Sequence, residues 1–147
     1  MIIGINYSNQ RFARAREYSR IVSRIFGGVD VFMSYKPSDL DVNFRQKNRD
    51  ILSQKRGAGY WLWKPYLISK VLNKSNENDW LIYLDAGGFL VRNISPIIGK
   101  AEELGQSVVG FELPLIEKQW TKSEAMESLQ VKEINRNSNQ LMATMLL

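Results

Sequence analysis

The chain contains neither cysteine nor histidine. Without cysteine there is no disulfide framework, no thiolate zinc ligand and no thiol nucleophile. Without histidine the commonest general base and the commonest transition-metal ligand are missing as well. Chemistry must therefore rest on carboxylates, Lys, Arg, Tyr, Ser or Thr, or on a hard metal ion. No run approaches the roughly 18 apolar residues that a membrane span needs. The opening MIIGINYS has neither the basic flank nor the long apolar region of a secretory leader, so it reads as a strand and a cytoplasmic location is expected. There is no internal repeat, low-complexity stretch or linker.

What remains is a globular composition. At 147 residues the chain has room for one domain with a real core and too little for two. A hydrophobic content of 44% with 24% charged residues argues against a disordered chain. The net charge of +5 favours anionic partners without choosing among phosphates, nucleic acid and lipid head groups.

The stretch Asp79 to Gly88, DWLIYLDAGG, organises the rest. Trp80 to Leu84 is apolar without a break, the pattern of a strand covered on both faces in a mostly parallel sheet. It ends in Asp85, followed by Ala86, Gly87 and Gly88. A carboxylate with small neighbours at the carboxyl end of such a strand stands where open α/β sheets bind ligands. A turn Asp that caps the next segment is the alternative.

Around this strand the order reads strand (Ile2–Asn6), helix (Arg11–Phe26), strand (Val29–Tyr35), helix (Asp41–Ser53), a helix opened by Pro65, and the central strand. That order predicts an α/β fold with parallel crossovers, a mostly parallel central sheet flanked by helices. Phe12, Ala15, Tyr18, Val22 and Ile25 are expected on the buried face of the first helix, with Arg16, Arg20 and Arg24 on a solvated one. Leu67, Ile68, Val71 and Leu72 form the expected stripe of the helix at Pro65. Further on, Phe89–Val91 extends the chain, Ser95 to Leu104 reads as a helix, Ser107–Leu113 as a strand and Lys122–Leu129 as a helix. The apolar tail Leu141–Leu147 needs covering. That suggests the N-terminal part of a longer protein, or a last element that pairs with a partner.

Arg56 to Tyr66, RGAGYWLWKPY, is the most unusual stretch. Tyr60, Trp61 and Trp63 between Arg56 and Lys64 suit a flat base or a sugar ring beside a phosphate. The glycines and the following helix start offer backbone donors to an anion. A hydrophobic plug packing the loop onto the sheet is the other reading for each tryptophan taken alone.

RGAGYWLWKPYLI followed by an acidic loop and LIYLDAG resembles bacterial polysaccharide-associated glycosyltransferases of the GT-A, nucleotide-diphospho-sugar transferase fold. FELPLIEKQWTK is similar to that family's aromatic–Thr–Lys segment, here Trp120-Thr121-Lys122, and INYS is compatible with its nucleotide-binding start. The resemblance covers nearly the whole chain. It implies a single α/β domain over residues 1–147, the nucleotide-sugar-binding part of a longer GT-A domain, acting in polysaccharide biosynthesis. The implied reaction transfers a sugar from a nucleotide-diphosphate donor to a glycan or other acceptor.

In such enzymes a D-x-D-like motif at the end of the central strand holds a divalent metal against the donor diphosphate. Asp85 is the matching position for both catalysis and metal, but Ala86-Gly87 follow and the second Asp is missing. A single carboxylate holds Mn²⁺ or Mg²⁺ only if phosphates and water fill most of the shell. The alternative is a hydrogen bond to the ribose or sugar. Tyr7, Ser8, Arg56, Tyr60, Trp63, Lys64, Ala86 and Gly87 are the expected donor-side residues, and Trp120 and Lys122 the acceptor or phosphate side. A metal, Lys64 or Arg56 could offset charge on the leaving diphosphate. Glu112 and Glu117 follow the late strand, but neither is assignable as a general base. The competing readings are a truncated nucleotide-sugar-binding module without turnover, and a basic nucleic-acid-binding domain. The second is disfavoured because the aromatics fall in one loop, so no nucleic-acid partner is expected.

Overall fold

The computed structural model describes residues 1–147 throughout. Its strands are β1 (Ile2–Tyr7), β2 (Val31–Tyr35), β3 (Trp80–Leu84), β4 (Glu112–Ile116), β5 (Asn139–Leu141) and β6 (Met145–Leu146). Helix α1 (Ala13–Phe26) joins β1 to β2. Four helical segments, α2 (Val42–Lys47), α3 (Arg49–Leu52), α4 (Gly57–Tyr60) and α5 (Trp63–Leu72), lead from β2 to β3. Then come α6 (Ser95–Glu103), α7 (Glu117–Trp120), α8 (Ser123–Ser128) and α9 (Glu133–Arg136). The main sheet has the order β2-β1-β3-β6, and β4 and β5 form a separate pair. β1 is parallel to both β2 and β3, while β6 is antiparallel to β3. The fold is therefore α/β, with a mixed, mostly parallel sheet flanked by helices.

The unbroken apolar run of β3 has the expected cause, because both faces of the sheet are covered. Ile3, Ile5, Tyr7, Leu81 and Tyr83 point to one side and pack with Leu40 and with Trp63, Leu67 and Val71 of α5. Ile82 and Leu84 point to the other, against Val29, Phe32, Leu90, Ile94, Ile98 and Leu147. No residue from Leu81 to Leu84 is more than 8% exposed. The chain leaves β1 toward β2 on one side and leaves β3 on the other. The carboxyl ends of β1 and β3 thus flank a topological switch point, where open α/β sheets leave a crevice.

Several expectations are corrected. In α1 it is Ser19 and Ser23 that are fully buried, whereas Tyr18 and Ile25, and Phe12 just before the helix, are exposed. The serines face inward because they hydrogen-bond the loop after β3, a demand that hydrophobic periodicity does not register. Arg16 belongs to the interior network rather than to a solvated stripe: its Nη1 donates to the carbonyls of Ser8 (3.0 Å) and Tyr35 (3.1 Å). The helix expected over Asp41–Ser53 is split at Asn48, whose side-chain amide donates to Phe44 O at 2.9 Å. That local bond competes with the helical ladder. The helix expected at Pro65 begins at Trp63, and Leu72 is half exposed instead of joining its stripe.

Phe89–Val91, expected to extend the chain, forms neither strand nor helix, and Leu90 is buried in the core. Of Ser107–Leu113, only Glu112 and Leu113 are strand, because Val109 finds one backbone partner, Leu147, and Val108 is 73% exposed. The tail is covered from within. Leu146 and Met145 pair with Tyr83 and Leu84, and Leu147 is buried.

Candidate ligand-binding site

Asp85 follows the last residue of β3, and its backbone is fixed on both sides. Its N–H donates to Thr144 O at 2.8 Å, and Gly88 N–H donates to Asp85 O at 2.8 Å, closing a tight turn. Helix α1 holds the same turn from behind: Ser19 Oγ donates to Gly88 O (2.6 Å), and Leu90 N–H donates to Ser23 Oγ (3.0 Å). Gly87 stays exposed, and a Cβ added there would meet nothing within 4 Å. The Asp85–Gly87 backbone therefore faces open space on a rigid support.

The end of β1 lies alongside. Arg16 satisfies the Ser8 carbonyl, while the buried Ser8 hydroxyl has no hydrogen-bond partner. Tyr7 stacks on Trp63 with ring centroids 4.0 Å apart and planes 22° from parallel. Burial pushes the Tyr7 phenol up to about 12, so it is neutral at working pH. Trp63 Nε1 donates to Gly57 O at 2.9 Å, which ties the aromatic loop to the sheet.

That loop is wound the unusual way. Gly57, Ala58, Gly59, Tyr60 and Trp61 all have positive φ, between 50° and 98°. A left-handed turn costs each non-glycine L-residue roughly 1–2 kcal/mol, and Ala58, Tyr60 and Trp61 are the residues so placed. Glycine is required at position 57, where a Cβ would fall 2.5 Å from the Trp61 indole. The indole lies over the loop backbone, with the Arg56 guanidinium 6.0 Å from the ring centroid. Strain of this kind persists at ligand clamps where the surroundings over-determine it.

Between these elements lies a cavity of about 320 Å³ at the switch point. It is lined by Tyr7, Ser8, Trp63, Asp85, Ala86 and Gly87, joined by Asn9, Arg11, Phe12, Lys55, Gly57, Ala58 and Trp61. A second cavity of about 450 Å³ continues from it and shares Tyr7, Asn9, Lys55 and Ala58. Arg45, Arg49, Leu40 and Pro37 are among its further walls. The two adjoin across these shared residues to form a cleft beside the carboxyl ends of β1 and β3.

The structure thus brings six of the sequence-selected residues to one cavity wall; Lys64 touches Asp85 from outside it, and the others lie apart. Arg56 and Tyr60 stay on the outer side of the loop, outside both cavities. Trp120 (62% exposed) and Lys122 lie in the segment between β4 and β5 and line neither cavity. Glu112 accepts from Asn139 Nδ2 and Glu117 from Thr121 Oγ1, so both are engaged within that segment. Sequence reasoning missed Arg11, Arg45, Arg49 and Lys55. The spacing of Arg45 and Arg49, four residues apart on neighbouring helical turns, was the signal available.

Lys64 also turns away from the cleft. Its Nζ donates to Asp85 Oδ1 (3.1 Å) and to Ala143 O (2.9 Å), and it sits 4.5 Å from the Tyr83 ring centroid. The Tyr83 hydroxyl donates to the same Asp85 oxygen. Burial first, and that hydrogen bond second, hold the Tyr83 phenol far above its ordinary range. Asp85 is therefore a charge-compensated carboxylate with Oδ1 engaged by two donors. This donor set does not fit a divalent cation held by the protein. One oxygen already carries an ammonium and a phenol, no second carboxylate follows, and no three acidic side chains converge elsewhere. Nor is any helix long and apolar enough to cross a membrane.

No protein family matches the chain, and no curated protein or solved structure is significantly similar to it.

Proposed function

We propose that this chain binds a nucleotide-diphosphate sugar in the cleft and serves its transfer to a glycan or other acceptor, on a GT-A type of scaffold. The observation that carries the reading is the meeting, in one cavity, of the Asp85–Gly87 turn, the end of β1 and the indoles of Trp61 and Trp63. A carboxylate beside bare backbone hydrogen-bonds ribose or sugar hydroxyls. The exposed Trp61 indole suits a base or a sugar ring, whereas Trp63, 4% exposed and stacked on Tyr7, packs the cavity wall. Transfer breaks the bond between the anomeric carbon and the diphosphate oxygen and forms one to an acceptor hydroxyl oxygen, whose proton passes to solvent or to the departing diphosphate, so negative charge collects on that leaving group. Cationic walls offset that charge.

A donor-binding module without turnover is the second reading. It is favoured by one observation, that the only carboxylate lining the cleft is Asp85, already shared between Lys64 and Tyr83. Calorimetric titration with UDP-, GDP-, dTDP- and ADP-linked sugars tests both readings for binding, and a donor hydrolysis and transfer assay separates them. One donor class is expected to bind. Gly87→Val, which enters open space, is expected to abolish binding while leaving the fold unchanged. If none of the donors binds, or if Gly87→Val binds as well as the parent, the proposal is wrong.

A further inference from the structure

The cleft carries more positive charge than its own residues can balance. Arg11, Arg45, Arg49 and Lys55 line the two joined cavities, and none of them makes an ion pair or a side-chain hydrogen bond within the chain. Asp85 is the one acidic residue on these walls, and Lys64 already compensates it. Arg45, Arg49 and Lys55 on one cavity, and Lys55 and Arg11 on the adjoining one, repel one another and favour a multiply charged anion.

We infer that the cleft is a diphosphate cradle that works without a divalent metal. Arg45, Arg49 and Lys55, with Arg11 at the other end, take the negative charge that a metal at Asp85 would otherwise neutralise. The inference rests on the proposed donor reading for its ligand, a nucleoside diphosphate, and goes beyond it in assigning the charge partners. Guanidinium groups suit phosphate oxygens because their planar fork can donate two parallel hydrogen bonds. Arg45, Arg49 and Lys55 come from α2, α3 and the segment before α4, and Arg11 from the turn between β1 and α1.

The test is calorimetric titration of the full chain with UDP, GDP and inorganic pyrophosphate, first in EDTA and then with Mn²⁺. The prediction is binding in EDTA that Mn²⁺ leaves unchanged and that weakens as salt rises. Each lost charged contact is worth about a tenfold change in affinity. The exposed pair Arg45→Ala with Arg49→Ala is therefore expected to weaken binding about a hundredfold. The same charge loss at Arg24 and Lys118, which line neither cavity, is expected to leave affinity unchanged. Circular dichroism confirms that each variant is folded.

Pyrophosphate bound in EDTA, with no gain from any nucleotide or nucleotide sugar, supports the cradle and overturns the donor reading. A nucleotide sugar bound only with Mn²⁺ supports the donor reading and overturns the cradle. Equal losses at Arg45/Arg49 and at Arg24/Lys118 also overturn the cradle, because they reduce it to net charge. No binding under any condition overturns both.

Discussion

Asp85 and Lys64 form one unit in this structure, and their coupling can be measured. The ion pair spans 3.1 Å, with the lysine side chain 13% and the aspartate 34% exposed. At an effective dielectric near 20 the gross Coulomb attraction is about 5 kcal/mol. Desolvation and partial exposure reduce this to a net value of about 1–3 kcal/mol. Asp85→Asn keeps an acceptor for the Tyr83 hydroxyl and removes only the charge, so a loss of about 1–2 kcal/mol is expected. Lys64→Met also removes the bond to Ala143 O and the contact with the Tyr83 ring, and about 2–3 kcal/mol is expected there. In the double variant the two losses should fall short of their sum by about 1 kcal/mol or more. Urea unfolding of the four proteins measures this, and thermal melts should follow at about 2–4 °C per kcal/mol. Losses that add to within about 0.3 kcal/mol would show that the two residues do not act as a pair.

Trp63→Ala removes a buried indole that stacks on Tyr7 and anchors Gly57, so destabilisation of about 3–5 kcal/mol is expected in urea unfolding. Tyr60 is 55% exposed at φ 51°, and Tyr60→Gly relieves a left-handed backbone at little packing cost. A gain of about 1 kcal/mol, or about 2–4 °C in Tm, is expected. Asp79 is held below the usual carboxylate range by the Asn76 N–H and the N-terminal ammonium, and Asp41 by Lys70 and the Tyr66 hydroxyl. Depressed folded values mean that this stabilisation is complete above about pH 4 and fades as pH falls through them. Asp41→Asn and Asp79→Asn should therefore flatten the acid limb of a Tm–pH profile. On the alkaline side the raised Tyr7 value makes stability decline as pH climbs from about 10 toward 12, and Tyr7→Phe should remove part of that decline.

The central strand was legible because burial on both faces leaves a plain mark, an apolar run from Trp80 to Leu84 ended by a carboxylate. The meeting of Asp85–Gly87 with Tyr7–Ser8 followed from strand order, which the strand–helix alternation already implies. Side-chain direction was not legible. Lys64 lies one residue from Trp63 in the chain, yet it serves Asp85 from behind while the indole borders the cleft. The inward serines of α1 escaped because periodicity scores apolar surface, and these positions are buried to hydrogen-bond Gly88 and Leu90. The cations at 45, 49 and 55 were not singled out, because their place beside the cleft depends on Leu52 and on Ala58 of the left-handed turn packing against the β1 core. Only tertiary contacts select that turn, since its Ala, Tyr and Trp all disfavour it.

The proposed ligand enters the space between the Asp85 turn and the aromatic loop. Amide chemical-shift mapping of the isotope-labelled chain during titration with nucleotide sugars locates it directly. The predicted result is a cluster of shifted amides at Ser8, Asn9, Gly57, Ala86 and Gly87, together with the indole of Trp61. Shifts confined to the β4–β5 segment, or none with any donor, would contradict it.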